Sequence, residues 1–147
     1  MKESVPDWET DFELSELAEI AETLLSRYGQ LKIWLLEGSL GAGKTTLVKA
    51  LGRQLGLEVE ATSPTFSLVN SYESPTYGTV YHLDLYRLQT LEEAVEIGLF
   101  EIVDSGYFCL IEWASAIGYQ PAEPSLTIEM QHLNQTMRRL SVRIHED

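Results

Sequence analysis

The stretch Gly38-Ser39-Leu40-Gly41-Ala42-Gly43-Lys44-Thr45 decides the fold of this chain. It fits the phosphate-loop pattern G-x-x-x-x-G-K-[ST] at every position. Glycines let the backbone turn tightly and bring its N–H groups against phosphate oxygens. The lysine of the pattern reaches the β- and γ-phosphates, and the final hydroxyl ligates Mg²⁺. The sequence therefore predicts a nucleotide site formed by Leu40, Gly41, Ala42, Gly43, Lys44, Thr45 and Thr46.

The residues on either side of this loop have the order that a phosphate-binding unit requires. Residues 32–37 are typical of a buried strand, and apolar residues from Leu47 to Leu55 follow at helical spacing. The helix should start near Gly43, so that the positive end of its dipole faces the phosphates. A strand, a glycine loop and a helix in this order favour a functional phosphate loop over a chance match.

Length and composition limit the classes of protein. The 147 residues suit one domain over 1–147. Ten Lys and Arg against 23 Asp and Glu give a net charge of −13, which disfavours direct binding to nucleic acid or to an anionic membrane. The single cysteine, Cys109, lies in an apolar run and is expected to be a buried core residue. No signal region and no apolar run of membrane-spanning length are present, so we expect a cytoplasmic protein.

Hydrophobic periodicity predicts the first half of the remaining elements. Thr10 and Glu13 fit a capping box, so a helix is expected from there to Gly29. Residues 67–72 and 79–86 are expected to be two strands, and the short turn between them favours an antiparallel pair.

Further elements follow towards the C-terminus. Thr90 is expected to cap a short helix, which Gly98 separates from a second short helix. Residues 108–111 are a continuous apolar run and predict a central strand, while 114–124 are expected to be a loop. Alternation between 126 and 144 predicts a terminal hairpin. The fold class is therefore α/β, with a P-loop NTPase-like three-layer fold and a central mixed parallel/antiparallel sheet.

Asp84 is the first candidate for the carboxylate that a phosphate loop needs as its Mg²⁺ partner. It lies with His82 and Tyr86 on the face of the predicted strand 79–86 that points away from its apolar residues. Aspartate is depleted in strands. We therefore favour Mg²⁺ coordination over a half-solvated edge position or a salt bridge to Arg87, and expect His82 to be a hydrogen-bonded structural residue.

Glu112 is the second candidate because it ends the apolar run 108–111. The carboxyl ends of such strands form the rim where ligands bind in open α/β sheets. We predict that Glu112 positions water as a base or ligates Mg²⁺. The next residue, Trp113, has three alternatives: it covers the nucleotide, contacts a partner, or packs in the core. Thr65 lies in a Ser/Thr/Pro loop that either senses the γ-phosphate through Mg²⁺ or serves turn chemistry.

Five motifs together resemble the bacterial TsaE (YjeE) proteins, ATPases needed to make threonylcarbamoyladenosine in tRNA. They occur in the family's order, and the resemblance covers roughly residues 10–145. Glutamate often recurs shortly after the E-W pair in this family, but Ala-Ser-Ala stands there in this chain. The motifs are Gly38-Ser-Leu-Gly-Ala-Gly-Lys-Thr-Thr46, Ser63-Pro-Thr-Phe66, His82-Leu-Asp-Leu-Tyr-Arg87, Glu96-Ile-Gly98 and Ile111-Glu-Trp113.

The resemblance implies a central mixed sheet flanked by helices and a set of roles. Lys44 and Thr45 would contact the phosphates of ATP and Mg²⁺, and Asp84 would bind Mg²⁺. The resemblance also implies that Thr65 belongs to a switch loop, with Glu112 and Trp113 at the catalytic rim. The implied partners are the TsaB and TsaD proteins, whose complex transfers the threonylcarbamoyl group, so that tRNA is met only through them.

Other functions compatible with a phosphate loop remain open at this stage. A small-molecule kinase would need a second substrate pocket and usually an arginine-bearing lid. A GTPase would usually carry an N-K-x-D motif, which this sequence lacks. A non-catalytic nucleotide-sensing module would share Lys44 and Thr45 with an ATPase, so the sequence does not separate the two.

Overall fold

The computed structural model of the protein describes residues 5–39, 41–62 and 68–146. Within them, seven strands and four α-helices follow one another along the chain, with 3₁₀ turns at Leu14–Glu16 and Ala114–Ile117. The strands are β1 (Trp8–Glu13), β2 (Ile33–Glu37), β3 (Val69–Ser74), β4 (Gly78–Asp84), β5 (Phe108–Glu112), β6 (Ser125–His132) and β7 (Met137–His145). The helices are α1 (Leu17–Tyr28), α2 (Lys44–Leu55), α3 (Leu91–Glu96) and α4 (Leu99–Val103).

The strands form one mixed sheet in the order β1-β7-β6-β2-β5-β4-β3. Strand β5 is parallel to β2 and β4, and β2 is also parallel to β6. The pairs β1–β7, β6–β7 and β3–β4 are antiparallel. The predicted mixed sheet is confirmed. Because β2, β4 and β5 run the same way, their carboxyl ends meet at one edge, where the phosphate loop begins.

Helices cover both faces of the sheet, which gives the predicted three layers. Trp34 and Leu36 of β2 pack in the cluster that contains the apolar residues of α1 and α2. Their neighbours Ile33 and Leu35 pack in a second cluster with residues of α3 and α4. A strand that is buried on both faces reads as a continuous apolar run, which is why β2 and β5 stood out in the sequence.

The predicted start of the first helix is wrong. Thr10 and Glu13 belong to β1, an edge strand that pairs antiparallel with β7. In β1, Phe12 is buried while Asp11 and Glu13 are exposed, and this two-residue alternation fits a strand. The helix instead begins after the 3₁₀ turn. Glu13 and Glu16 form a capping box at the start of that turn.

The other elements agree with the sequence apart from their bounds. Helix α1 ends at Tyr28 with Gly29 as its cap, and α2 begins at Lys44. The β3–β4 pair and the terminal hairpin are antiparallel, as predicted. Thr90 caps α3 by accepting a hydrogen bond from the Glu93 amide. Within the described part of the chain, no helix is both long enough and apolar enough to cross a bilayer.

Candidate functional site

A cleft of about 340 Å³ opens at the carboxyl edge of the central strands. Its volume lies at the lower end of the range of small-molecule sites, about 300–1,000 Å³. Residues of the phosphate loop, the start of α2, the ends of β4 and β5, and β7 all contribute. The lining residues are Leu14, Gly41, Gly43, Lys44, Thr45, Thr46, Asp84, Tyr86, Glu112, Trp113 and Arg138.

The phosphate loop has a backbone that side chains would disturb. Gly41 and Gly43 have φ angles of +81° and +107°, in the left-handed region that favours glycine. A Cβ atom at Gly38 would lie 2.6 Å from the carbonyl oxygen of Met130. Ala42 is fully buried behind the loop, so it contributes backbone rather than side chain. Leu40 lies outside the described residues.

Lys44 is buried at the first position of α2, with its side chain in the cleft. Its Nζ donates a hydrogen bond to the carbonyl oxygen of Gly38 at 2.6 Å and lies 3.5 Å from the ring centroid of Trp113. Burial lowers the pKa of Lys44, and the carboxylates of Glu112, Glu37 and Asp84 oppose this shift. The cation is thus partly stripped of water and directed at the cleft.

Two carboxylate residues lie side by side on the β4–β5 pair, because Asp84 and Glu112 are partners in the parallel register, and both line the cleft. Oδ1 of Asp84 accepts a hydrogen bond from the Tyr86 amide at 3.0 Å. Burial raises the pKa of Asp84, the Tyr86 amide opposes this shift, and the Glu112 carboxylate adds to it. Neighbouring carboxylates in such a position attract a cation.

Glu112 is held by His82. The side chains of both residues are almost completely buried, and Nε2 of His82 lies 2.6 Å from Oε2 of Glu112. The prediction that His82 is a hydrogen-bonded residue agrees with this contact. The sequence also predicts that the face of β4 that carries His82 lies away from the core. This prediction is wrong, because helices cover both faces of the sheet.

Trp113 adopts the left-handed backbone conformation, with φ at +65°, directly after β5. Its ring contacts Lys44 and lies 4.9 Å from the ring of Tyr86, centroid to centroid. Trp113 also packs against the apolar cluster that contains residues of α3 and α4. The residue therefore combines core contacts with a place in the cleft wall.

Arg138 of β7 was not predicted as a site residue, although it lines the cleft and is buried. Its Nε donates a hydrogen bond to the carbonyl oxygen of Ala42 at 3.1 Å, so the hairpin is bound to the phosphate loop. The signal was present in the sequence. Arg138 falls in the alternating set that continues with Leu140 and Val142, where an arginine breaks the apolar pattern.

The donors in the cleft suit Mg²⁺ held together with phosphates. Among the described residues, no group of three or more His, Cys, Asp or Glu could hold a metal by itself. The predicted set combines the Thr45 hydroxyl with the carboxylates of Asp84 and Glu112, all in the cleft wall. One or two carboxylates plus substrate phosphates are the usual ligands of Mg²⁺. Thr65 lies outside the described residues.

Comparison with known proteins identifies the family. The model of the family described as "Threonylcarbamoyl adenosine biosynthesis protein TsaE" matches residues 12–140. The chain belongs to the TsaE family. The resemblance drawn from the five motifs is confirmed, and with it a role in the biosynthesis of threonylcarbamoyladenosine.

Individual relatives agree with this assignment. The chain is 40% identical to the tRNA threonylcarbamoyladenosine biosynthesis protein TsaE of Treponema pallidum over 108 residues, which are 74% of this chain and 78% of the relative. It is 34% identical to the protein of the same name from Rickettsia felis over 128 residues, 86% of this chain and 74% of the relative. The crystal structure of Bacillus subtilis YdiB superposes with a TM-score of 0.73 at 26% identity, covering 98% of this chain and 90% of that one.

Proposed function

We propose that this TsaE protein is a Mg²⁺-dependent ATPase whose cycle of ATP binding and hydrolysis drives turnover of the TsaB–TsaD complex. The observation that carries the proposal is the convergence of Lys44, Asp84 and Glu112 on one cleft at the phosphate loop. A phosphate-binding backbone, a cation and two carboxylates are the parts that phosphoryl chemistry requires.

Each group has a role that follows from its chemistry. Backbone N–H groups of Gly41–Thr46 would bind phosphate oxygens at the start of α2, and Lys44 would supply a fixed positive charge. Thr45 and Asp84 would hold Mg²⁺, which when bound neutralises charge on the phosphates. Glu112 would orient the attacking water and accept its proton.

The dependence on partners follows from the charge of the chain and from the contacts that Lys44 makes in the cleft. A net charge of −13 disfavours binding of tRNA by this chain alone, so TsaB and TsaD would bring the tRNA. Lys44 contacts the ring of Trp113 and the Gly38 carbonyl, and these contacts compete with phosphate binding. We expect weak ATPase activity from the isolated protein and faster turnover in the complex.

The hydrolytic role is tested by Glu112→Gln, which preserves side-chain size but removes the basic carboxylate. ATP affinity measured by calorimetry should remain near that of the parent protein, while turnover should fall by about 10²-fold or more, the usual scale for a general base. Lys44→Ala is the matched control, because it should abolish binding itself. Parent-like turnover of Glu112→Gln would reject the role of Glu112.

The coupling to partners is tested by co-elution of the three proteins on a sizing column with each nucleotide. The complex should form more readily with ATP or a non-hydrolysable analogue than with ADP, and by linkage TsaB–TsaD should raise ATP affinity by the same factor. If no complex forms with any nucleotide and tRNA modification is normal in a deletion strain, the coupling is refuted. ATP binding without hydrolysis in the complex would instead indicate a non-catalytic nucleotide sensor.

The small-molecule kinase gains no support from Arg138 and Arg139 of the terminal hairpin. Arg138 is bound to the backbone of the phosphate loop, and Arg139 pairs with Asp11 on β1. Neither is available as the lid arginine that a kinase would need.

A further inference from the structure

We infer that His82 is the positioning residue for Glu112 and that it ties this carboxylate to the backbone of Thr62. The inference rests on the proposed role of Glu112 in hydrolysis. It adds a residue outside the cleft wall that would control that role without touching the nucleotide.

The contact between His82 and Glu112 is short and is buried from solvent. Nε2 and Oε2 lie 2.6 Å apart, and the two side chains are 1% and 4% exposed. A carboxylate buried to this degree needs a hydrogen-bond donor, and water has little access to supply one. His82 therefore fixes Oε2 of Glu112, a residue that also lines the cleft.

The opposite side of the imidazole ring is also engaged. Nδ1 of His82 lies 3.3 Å from the carbonyl oxygen of Thr62. The same oxygen accepts hydrogen bonds from Asn70 Nδ2 at 3.0 Å and Tyr72 Oη at 3.1 Å, and the Thr62 amide donates to Tyr72 Oη at 2.9 Å. Side chains of β3 and β4 thus hold the Thr62 peptide group at a fixed place.

The two contacts make a continuous chain from Thr62 through His82 to Glu112. A carbonyl oxygen and a carboxylate oxygen only accept hydrogen bonds, so His82 donates to both of them as the imidazolium, which carries an N–H on each ring nitrogen. A shift of the Thr62 peptide would move the ring and rotate the carboxylate away from its position. The Thr62 peptide group and the water-positioning group are therefore mechanically linked.

Two substitutions of His82 separate its contact with Glu112 from its contact with Thr62. The amide nitrogen of glutamine reaches approximately the place of Nε2, so His82→Gln retains a donor for Glu112. Asparagine places its amide nitrogen near Nδ1, so His82→Asn retains the donor for Thr62 but loses the contact with Glu112. We expect His82→Asn to lower ATP turnover by about 10-fold or more, with ATP affinity by calorimetry changed less than about twofold.

Rescue by a conservative variant and the loss in a double variant test whether His82 acts through Glu112. His82→Gln should recover most of the turnover that His82→Asn loses. In a Glu112→Gln background, His82→Asn should cause little further loss, because a residue that acts through Glu112 has nothing left to position. Equal losses in both His82 variants, or a full additional loss in the double variant, would overturn the inference.

A measurement on the nucleotide-free protein tests the contact independently of hydrolysis. The imidazole nitrogen resonances of His82 should shift in Glu112→Gln, while those of His132 and His145, which are exposed, should not. Unchanged His82 resonances would overturn the positioning role. If this shift is found but the parent protein hydrolyses no ATP even with TsaB–TsaD, the proposed function fails and the contact stands.

Discussion

Arg138→Met is expected to loosen the phosphate loop while preserving the fold. Methionine keeps much of the apolar stem of the side chain but removes the guanidinium. That group donates to three backbone oxygens: Nε to Ala42 at 3.1 Å, and Nη1 to Asn134 at 2.7 Å and to Met137 at 2.9 Å. Only the first of these bonds joins the hairpin to the phosphate loop.

Loss of the guanidinium donor does not cost the same free energy at each of the three carbonyl groups. Asn134 is exposed in the hairpin turn and Met137 is half-buried, so water can replace the missing donor there. Ala42 is fully buried, and its carbonyl would lose a hydrogen bond from a charged donor. Such a bond contributes about 1.5–3 kcal/mol, and we expect the free energy of unfolding to fall by about that amount. If about half of it, about 0.75–1.5 kcal/mol, reflects order in the loop, nucleotide affinity falls by about 3- to 12-fold, because about 1.4 kcal/mol is a factor of ten.

The adjacent arginine provides a matched control. Arg139 points to the opposite face of β7, is exposed, and pairs with Asp11. Arg139→Met removes the same charge but should leave nucleotide affinity unchanged. Urea unfolding and calorimetric titration with ADP measure the two effects. A folded Arg138→Met protein with parent-like affinity would refute the reasoning, as would equal losses in the two variants.

Three further predictions concern two buried residues and the half-buried Asp84. Burial raises the pKa of the Cys109 thiol to about 12, so an aromatic disulfide reagent should label it only after unfolding in urea; rapid labelling of the folded protein would contradict this. Ser74→Ala should lower the free energy of unfolding by about 1–3 kcal/mol in urea titrations, because buried Oγ of Ser74 donates to the Leu55 carbonyl at 2.6 Å. Burial raises the pKa of Asp84, so Asp84→Asn should stabilise the nucleotide-free protein at pH 7; this gain should shrink as the pH falls through the folded pKa and vanish below the unfolded one. Equal stability at pH 7 would contradict it.

The fold was predictable wherever short stretches of sequence determine the structure. Strand, glycine loop and α2 follow one another within 24 residues, from Lys32 to Leu55, and each carries its own pattern. The second half of strand β1 is assigned to a helix by the sequence because Thr10 and Glu13 match a local capping pattern. Its pairing with β7 is non-local, and residues such as Asp11 and Arg139 meet only in the folded sheet. Tertiary pairing overrides a local signal in such cases.

The residues of the site also divide into those that local sequence predicts and those that depend on tertiary contacts. Lys44 and Thr45 were predicted from the motif, while Asp84 and Glu112 were predicted from their places on single strands. Arg138 is marked in the sequence only as a break in an apolar alternation. Its contact with the phosphate loop depends on β6 pairing with β2 and β7 pairing with β6, an order that no local pattern encodes. The contact of His82 with Glu112 likewise depends on the parallel neighbours β4 and β5.

The charges of the cleft explain why ligand binding should stabilise the protein. Burial disfavours the charged form of Lys44 and of Asp84, and Glu112 adds repulsion to Asp84. Burial of these charges and the repulsion between the carboxylates lower the free energy of unfolding. A divalent cation between the carboxylates and a phosphate against the lysine would offset both at once. Because the offset exists only in the folded state, nucleotide and Mg²⁺ together should raise the unfolding temperature more than the sum of their separate effects.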